Sequence, residues 1–310
     1  MKVIVAGASG TIGTPLVAAL KHSGHDVLGI SRTEGGAEAV RGLGADAVVA
    51  DVLDRDALLR VLDGTSADAV IHEATALKHP PTHYRGRGIT DTNKLRTSGT
   101  GNLVEAARLA GAKKFVTQSM IFGYGFVDHG TTTITEDAPF GEPRGTKSDP
   151  ATAAFRSAEE QAFSAPGIDG VAVRYGFVYG PGPASGKIMK MLRTRMFPIP
   201  RGEGGTFGWI YVDDAAAATV AALEHGRGGA AYNIVDDEPA TWGDVFDAMA
   251  SAIGAPRPLR LPQFMLRMST PFFAEQMIDT SMRVSNAKAK ADLGWTPSKP
   301  TFREGVAALT

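Results

Sequence analysis

The chain has 310 residues, is 43% hydrophobic and carries a formal net charge of −1, enough to bury a large core in one or two domains. A near-neutral charge gives no reason to expect nucleic acid. The absence of cysteine excludes disulfides, thiolate catalysis and Cys-ligated metals, and it fits a reducing, cytoplasmic compartment. "MKVIVAGASG" is broken by glycine and reads as a buried strand, not a targeting signal, and no segment approaches the roughly 20 apolar residues of a membrane span.

Over the first 120 residues, short β-branched runs alternate with helical patterns, which predicts an α/β fold with a doubly wound parallel sheet. Strands are expected at Lys2–Ala6, Asp26–Ile30, Ala47–Ala50, Ala69–His72, Lys114–Gln118 and Gly170–Tyr175, with helices near 12–22, 54–62 and 96–110. "SDPATAAFRSAEEQAFS" (148–164) reads as a further helix: Asp149 can cap it, Pro150 suits its first position, and Ala151, Ala154, Phe155, Ala158 and Ala162 form one apolar stripe. After "YGPGPASG" the chain turns to "KIMKMLRTRMFPIPRGEGG", with loop signals, where a smaller lobe begins. "WIYVDDAAAATVAALEHG" then returns to the first domain, with Asp213 or Asp214 as cap and Gly226 as stop. The expected division is 1–180 with 208–230 as the first domain, and 181–207 with 231–310 as the substrate lobe.

"VIVAGASGTIGTPLVAAL" places Gly7, Gly10 and Gly13 between a strand and a helix, with Thr11 and Ile12 in the turn. Glycines permit close backbone approach, and the helix N-terminus offers free N–H groups and positive dipole to a pyrophosphate. The second strand leads into Ser31 and Arg32, where an NAD-selective site would place an acid, so NADP(H) is expected over NAD(H). A solvated surface charge is the alternative for Arg32. Asp51, beside Val52, either accepts the adenine amino group or caps the next helix. Ala74 and Tyr175 complete the expected cofactor contacts.

In order along the chain, "GASGTIG", "ADVLD", "IHEATA", "GTGNLVEAARLAGAKKFV", "VRYGFVYGPG", "WIYVDDAAAATVAALE", "YNIVDDEPATWGDVF" and "AKADLGWTP" resemble the extended short-chain dehydrogenases/reductases, in their NAD-dependent epimerase/dehydratase branch. The resemblance implies a Rossmann domain, a smaller C-terminal substrate lobe and a cleft between them. It also implies a homodimer through helices near 96–110 and 150–164. Such proteins usually carry Tyr-x-x-x-Lys as acid/base pair. Alignment on Glu160 puts Thr152 and Arg156 there, Phe122 stands where a tyrosine is common, and Arg96 replaces a usual asparagine. The chain therefore resembles an atypical branch, of the kind found in actinobacterial secondary metabolism.

A threonine hydroxyl cannot replace a phenol as proton donor near neutral pH, so the chemistry must draw on other groups. Ser119, just past the fifth strand, could hydrogen-bond a substrate oxygen, and Tyr124 is the substitute phenol. Arg156 could hold a ribose hydroxyl or polarise a carbonyl, or pair on the surface with Glu160; Lys147 either polarises a carbonyl or is a surface charge. Tyr175 and Tyr179 either approach the nicotinamide or pack as aromatics. No metal is expected: "HEATA" (72–76) lacks a second histidine, and the prolines between His79 and His83 prevent a shared helical face. Lys78, Arg85, Arg87, Lys94 and Arg96, and separately Arg193, Arg195 and Arg201, either attract an anion or are solvated loop charge. The leading expectation is an NADPH-dependent reductase of a small organic molecule, acting on a carbonyl or activated C=C. The alternatives are a nucleotide-sugar epimerase or dehydratase and a non-catalytic NADP(H) sensor.

Overall fold

The structure, a computed structural model, describes residues 1–77, 83–84 and 86–309. Its centre is a seven-stranded parallel sheet. The strands are β1 (Lys2–Ala6), β2 (Asp26–Ser31), β3 (Asp46–Val49), β4 (Ala69–His72), β5 (Lys114–Met120), β6 (Asp169–Tyr175) and β7 (Ala230–Ile234). They lie in the order β7-β6-β5-β4-β1-β2-β3. The order reverses between β1 and β4, and in open α/β sheets the crevice outside such a point receives the ligand.

Helices cover both faces, as the near-continuous apolar strands require. On one side α1 (Gly13–His22) and α8 (Val212–His225) bury Val3, Val5, Ile71, Val116, Val171 and Val173. On the other, α3 (Arg55–Val61), α5 (Thr100–Leu109) and α6 (Asp149–Phe163) enclose Ile4, Val70, Phe115, Leu103 and Ala162. The chain also forms α2 (Glu34–Arg41), α4 (Arg87–Lys94) and α7 (Pro183–Arg193). A third core is aromatic and belongs to the C-terminal part. There Trp209, Phe207, Phe197 and Phe273 gather around α9 (Trp242–Ala252), whose Trp242 and Phe246 stack at 5.6 Å. No helix among the described residues is long and apolar enough to cross a membrane.

Several expectations are corrected. Strand β7 pairs with β6 from Ala230 to Ile234, so residues 231–234 join the main sheet instead of the lobe; its short polar-flanked run hid it. Helix α2 escaped notice because "EGGAEAVR" carries two glycines, yet Thr33 caps it by accepting the Gly36 amide. The helix expected over 96–110 begins as a π turn at Leu95–Gly99 before α5. Asp149 does not cap α6: its Oδ2 accepts the amides of Arg144, Gly145 and Thr146, folding the preceding loop onto the helix. Neither Asp213 nor Asp214 caps α8; Asp214 is buried and accepts the amides of Ser298 and Lys299.

Candidate active site

The turn after β1 is shaped by what cannot fit. A Cβ on Gly13 would lie 2.1 Å from the Gly7 carbonyl oxygen, and one on Gly7 would lie 2.6 Å from the Glu73 carbonyl carbon. Gly7 also has φ +83°, a conformation that disfavours any side chain. These glycines bring the turn against the β4 exit at Glu73 and Ala74. Ile12, at the N-cap of α1, supplies no side-chain cap. Within the first turn the Thr14 amide donates to the Gly10 carbonyl and Pro15 has none, so the Gly13 amide, with those of Thr11 and Ile12 before it, remains for an external anion. A dinucleotide pyrophosphate fits this cradle.

At the end of β2, Ser31 is buried and its Oγ lies 3.2 Å from that of Ser9. A Cβ on Gly36 would lie 2.1 Å from Ser31 Oγ, so glycine leaves room for this pair of hydroxyls. Arg32 is exposed and forms no ion pair among the described residues. Asp51 is not the cap of α3; Asp54 is, accepting the Ala57 amide. Asp51 instead closes its own turn through the Leu53 amide, and buried Val52 is held by Asn102 through its carbonyl.

His72 ends β4 fully buried, with its two nitrogens on backbone partners. Nε2 lies 3.1 Å from the Leu95 carbonyl and Nδ1 accepts the Ala74 amide, which makes it the neutral Nε2–H tautomer. Burial pushes its pKa down to about 4. Glu73 is also buried; desolvation pushes its carboxyl up to about 8, and it accepts a 2.8 Å hydrogen bond from Tyr175. Tyr175, against Thr219 of α8 as well, is therefore part of the core beneath Glu73 and not an exposed cofactor contact. Tyr179 likewise packs, donating to Asp236. Across the sheet, Arg96 is a correction to the expected rim of solvated cations: it is only 4% exposed, with its guanidinium 4.0 Å above the Phe155 ring. Of the other members of that rim, Lys78 and Arg85 lie outside the described residues, as does His79, while Arg87 and Lys94 are exposed. Arg193, Arg195 and Arg201 are exposed too.

Helix α6 and the segment after β5 form the opposite wall. An open cleft of about 420 Å³ runs between them, lined by Tyr124, Gly125, Phe126, Glu142, Arg144 and Thr152 among others. Tyr124 lies on this wall, but its hydroxyl is occupied: it donates to Asn233 Oδ1 at 2.8 Å and accepts from Arg174 Nη1 at 2.9 Å. Burial raises its pKa, so a phenol expected to release a proton is held as a structural hydrogen bond. Arg156 does not pair with Glu160; its partners are two groups of the cleft lining. It donates to the Gly141 carbonyl at 3.0 Å and lies 3.7 Å from Glu142. Lys147 is exposed. Ser119 is 0% exposed, and its Oγ has no partner.

The pair Arg174–Glu159 escaped the sequence reading. Arg174 Nε and Nη2 reach the two Glu159 oxygens at 2.9 and 2.7 Å, and both residues are buried. The signals were a cation inside the apolar run "VAVRYG" and an acid beside the buried stripe of α6, since a buried charge needs a partner.

The NAD dependent epimerase/dehydratase family matches residues 3–235. A 3-diazoavenalumate denitrifying reductase from a Streptomyces species is 36% identical over 315 residues, covering 99% of each chain. A 2-alkyl-3-oxoalkanoate reductase from Stenotrophomonas maltophilia is 27% identical and covers 100% of this chain and 98% of its own. Among solved structures, UDP-glucose 4-epimerase from Thermotoga maritima superposes with a TM-score of 0.80 at 21% identity, covering 100% of this chain and 97% of that one. At that identity the likeness shows the fold alone. Together with the glycine cradle at the switch point of the sheet, these matches make the chain an oxidoreductase of the short-chain dehydrogenase/reductase type, belonging to the NAD dependent epimerase/dehydratase family.

Proposed function

We propose that this protein is an NADPH-dependent reductase of a small organic molecule, and that its acceptor takes up hydride without receiving a proton from helix α6. The observation that carries this reading is the wall facing the cleft. Thr152 and Arg156 stand at the positions that the resemblance assigns to the acid/base pair, and the nearby phenol, Tyr124, is committed to Asn233 and Arg174. Gly7, Gly10, Thr11, Ile12 and Gly13 would hold the pyrophosphate, and Asp51, Val52 and Ala74 would border the adenosine and its ribose. Ser9, Ser31 and Arg32 would receive a 2′-phosphate, and the lack of an acid at the end of β2 supports NADPH over NADH. When bound, the dinucleotide supplies a hydride. The chain's own contribution is orientation, exclusion of water and, from Ser119, a hydrogen bond to the acceptor.

An acceptor of this kind is a diazonium carbon. One hydride forms the C–H bond, the C–N bond breaks with its electron pair leaving on dinitrogen, and the charges balance with no proton. The similarity to a reductase named for denitrifying a diazo compound supports this class. Reversible oxidation of a sugar hydroxyl, by contrast, requires a base, which neither Thr152 nor Arg156 supplies.

The test is anaerobic incubation of the protein with NADPH and a panel of aryl diazonium salts, ketones and quinones, against buffer controls. NADPH should be consumed one-for-one with dinitrogen from a diazonium, and deuterium should enter the product from labelled NADPH but not from heavy water. Tyr124→Phe should leave turnover within a few-fold. Absence of NADPH oxidation above the control across the panel sinks the reductase reading, and tighter binding of NADH than NADPH sinks the cofactor preference.

A further inference from the structure

We infer that Arg96 forms a recognition subsite for an anionic oxygen of the acceptor, a carboxylate or phenolate, at the inner end of the cleft; this rests on the reductase reading above and deepens it. Arg96 is 4% exposed, yet among the described residues its side chain makes no hydrogen bond and no ion pair. Nε in particular is buried without a partner. Buried guanidinium groups are ordinarily paired, because desolvation of a full charge is costly unless an anion or acceptor compensates it.

The neighbours say where that anion comes from. The guanidinium carbon lies 4.0 Å from the centre of the Phe155 ring, a cation–π contact that uses the ring face and consumes none of the N–H donors. Phe155 is three residues beyond Thr152 and so on the same side of α6, and Thr152 lines the cleft. Arg96 itself stands on the π turn Leu95–Gly99, the irregularity that separates α4 from α5; such turns recur where a side chain must be aimed at a functional site. His72, which accepts from the Ala74 amide, lies close to the Leu95 carbonyl and fixes that turn to the end of β4. A second unpartnered group, Ser119 Oγ, is buried at the end of the neighbouring strand β5.

The buried acid that attracts Arg96, Glu73, makes no salt bridge with it and instead accepts from Tyr175. The pyrophosphate cradle is a different feature, built from backbone amides at Gly7–Gly13. A carboxylate or phenolate on the acceptor would therefore meet a planar, preorganised fork, with Ser119 as an additional donor. This selects acceptors that carry an anion at a fixed distance from the carbon that takes the hydride.

The experiment compares benzoate with its neutral isostere benzamide, titrated into the full chain with excess NADP+ and read by calorimetry. NADPH binding is followed separately by fluorescence. Wild type should bind benzoate at least tenfold more tightly than benzamide. Arg96→Met should erase that preference with NADPH affinity unchanged within twofold. Arg96→Lys keeps the buried charge and so guards against misfolding; it should lose most of the preference, because an ammonium lacks the planar fork. Equal binding of benzoate and benzamide by wild type overturns the subsite, as does an undiminished preference in either variant. A loss of NADPH binding in the variants assigns Arg96 to the cofactor and also overturns it. Failure of wild type to bind NADPH overturns the dinucleotide reading instead, so the two failures are separable.

Discussion

The two halves of the proposed site are built from different materials. On the β1 side the turn that would cradle a pyrophosphate is almost entirely backbone: its shape follows from the absence of side chains at Gly7 and Gly13, where any Cβ would meet main-chain atoms. On the α6 side the wall is a chain of side-chain hydrogen bonds, from Glu159 through Arg174 and Tyr124 to Asn233. A backbone site keeps its chemistry as long as glycine is retained. A side-chain site can exchange one role for another by few substitutions, and here buried Arg174 and Asn233 hold Tyr124, which faces the cleft, in place instead of leaving it to offer a proton. The fold can therefore keep its cofactor half while its reactive half changes.

The largest effect is expected from breaking the side-chain wall. Glu159 is 2% exposed and is the bidentate partner of Arg174, so Glu159→Ala leaves a buried guanidinium without its counter-charge. Unfolding by urea should show a loss of about 3–5 kcal/mol. A loss below about 1 kcal/mol, the range of exposed pairs, would mean that the wall is not organised by this pair.

A somewhat smaller effect belongs to the boundary between the two halves, at His72. Its folded pKa, about 4, lies below the ordinary 6.5, so between those values the unfolded chain binds a proton that the native one refuses. The stability it contributes is complete above pH 6.5 and is lost as pH falls towards 4, about 3 kcal/mol in all. Glu73 works in the opposite sense, its folded pKa of about 8 lying above 4.5: its contribution is complete below pH 4.5 and fades as pH rises to 8. The wild-type profile mixes the two, so the measurement is a difference. The stability gap between wild type and His72→Gln should narrow by about 3 kcal/mol from pH 7 to pH 4. A gap that stays constant would show that His72 titrates normally.

How far the sequence could be read follows the same division. Strands β1 and β4 were legible to the residue, because buried parallel strands are short apolar runs bounded by turns. The cofactor turn was legible because only glycine meets its geometry. The apolar stripe of α6 emerged as expected from its spacing. What remained hidden depended on partners distant in the chain: Tyr124 looked like a free phenol because Arg174 and Asn233 lie 50 and 109 residues away. Arg96 looked like a surface cation because nothing local shows that a π turn rotates it inward onto Phe155. Asp149, Asp213 and Asp214 looked like caps because local preference allows it; the amides of the preceding loop claimed Asp149, and those of distant Ser298 and Lys299 claimed Asp214. Strand β7 was missed because an edge strand needs its neighbour to be recognised.

The smallest effect tests the backbone side of the site at its charged side chain, Arg32. Arg32 is exposed and, among the described residues, enters no ion pair, so removing it should cost the fold little. A 2′-phosphate placed near Ser9 and Ser31 would gain a charge-assisted contact from it, whereas a bare ribose would not. Arg32→Ala should therefore weaken NADPH about tenfold, or about 1.4 kcal/mol, and leave NADH unchanged in fluorescence titrations. Because the guanidinium is solvated, the difference should shrink as salt is raised. Equal weakening of both dinucleotides would place Arg32 on a group they share, and no weakening of either would return it to the surface. In the first case the preference for NADPH would have to come from Ser9 and Ser31 alone, whose hydroxyls are neutral donors, and it should then persist at high salt.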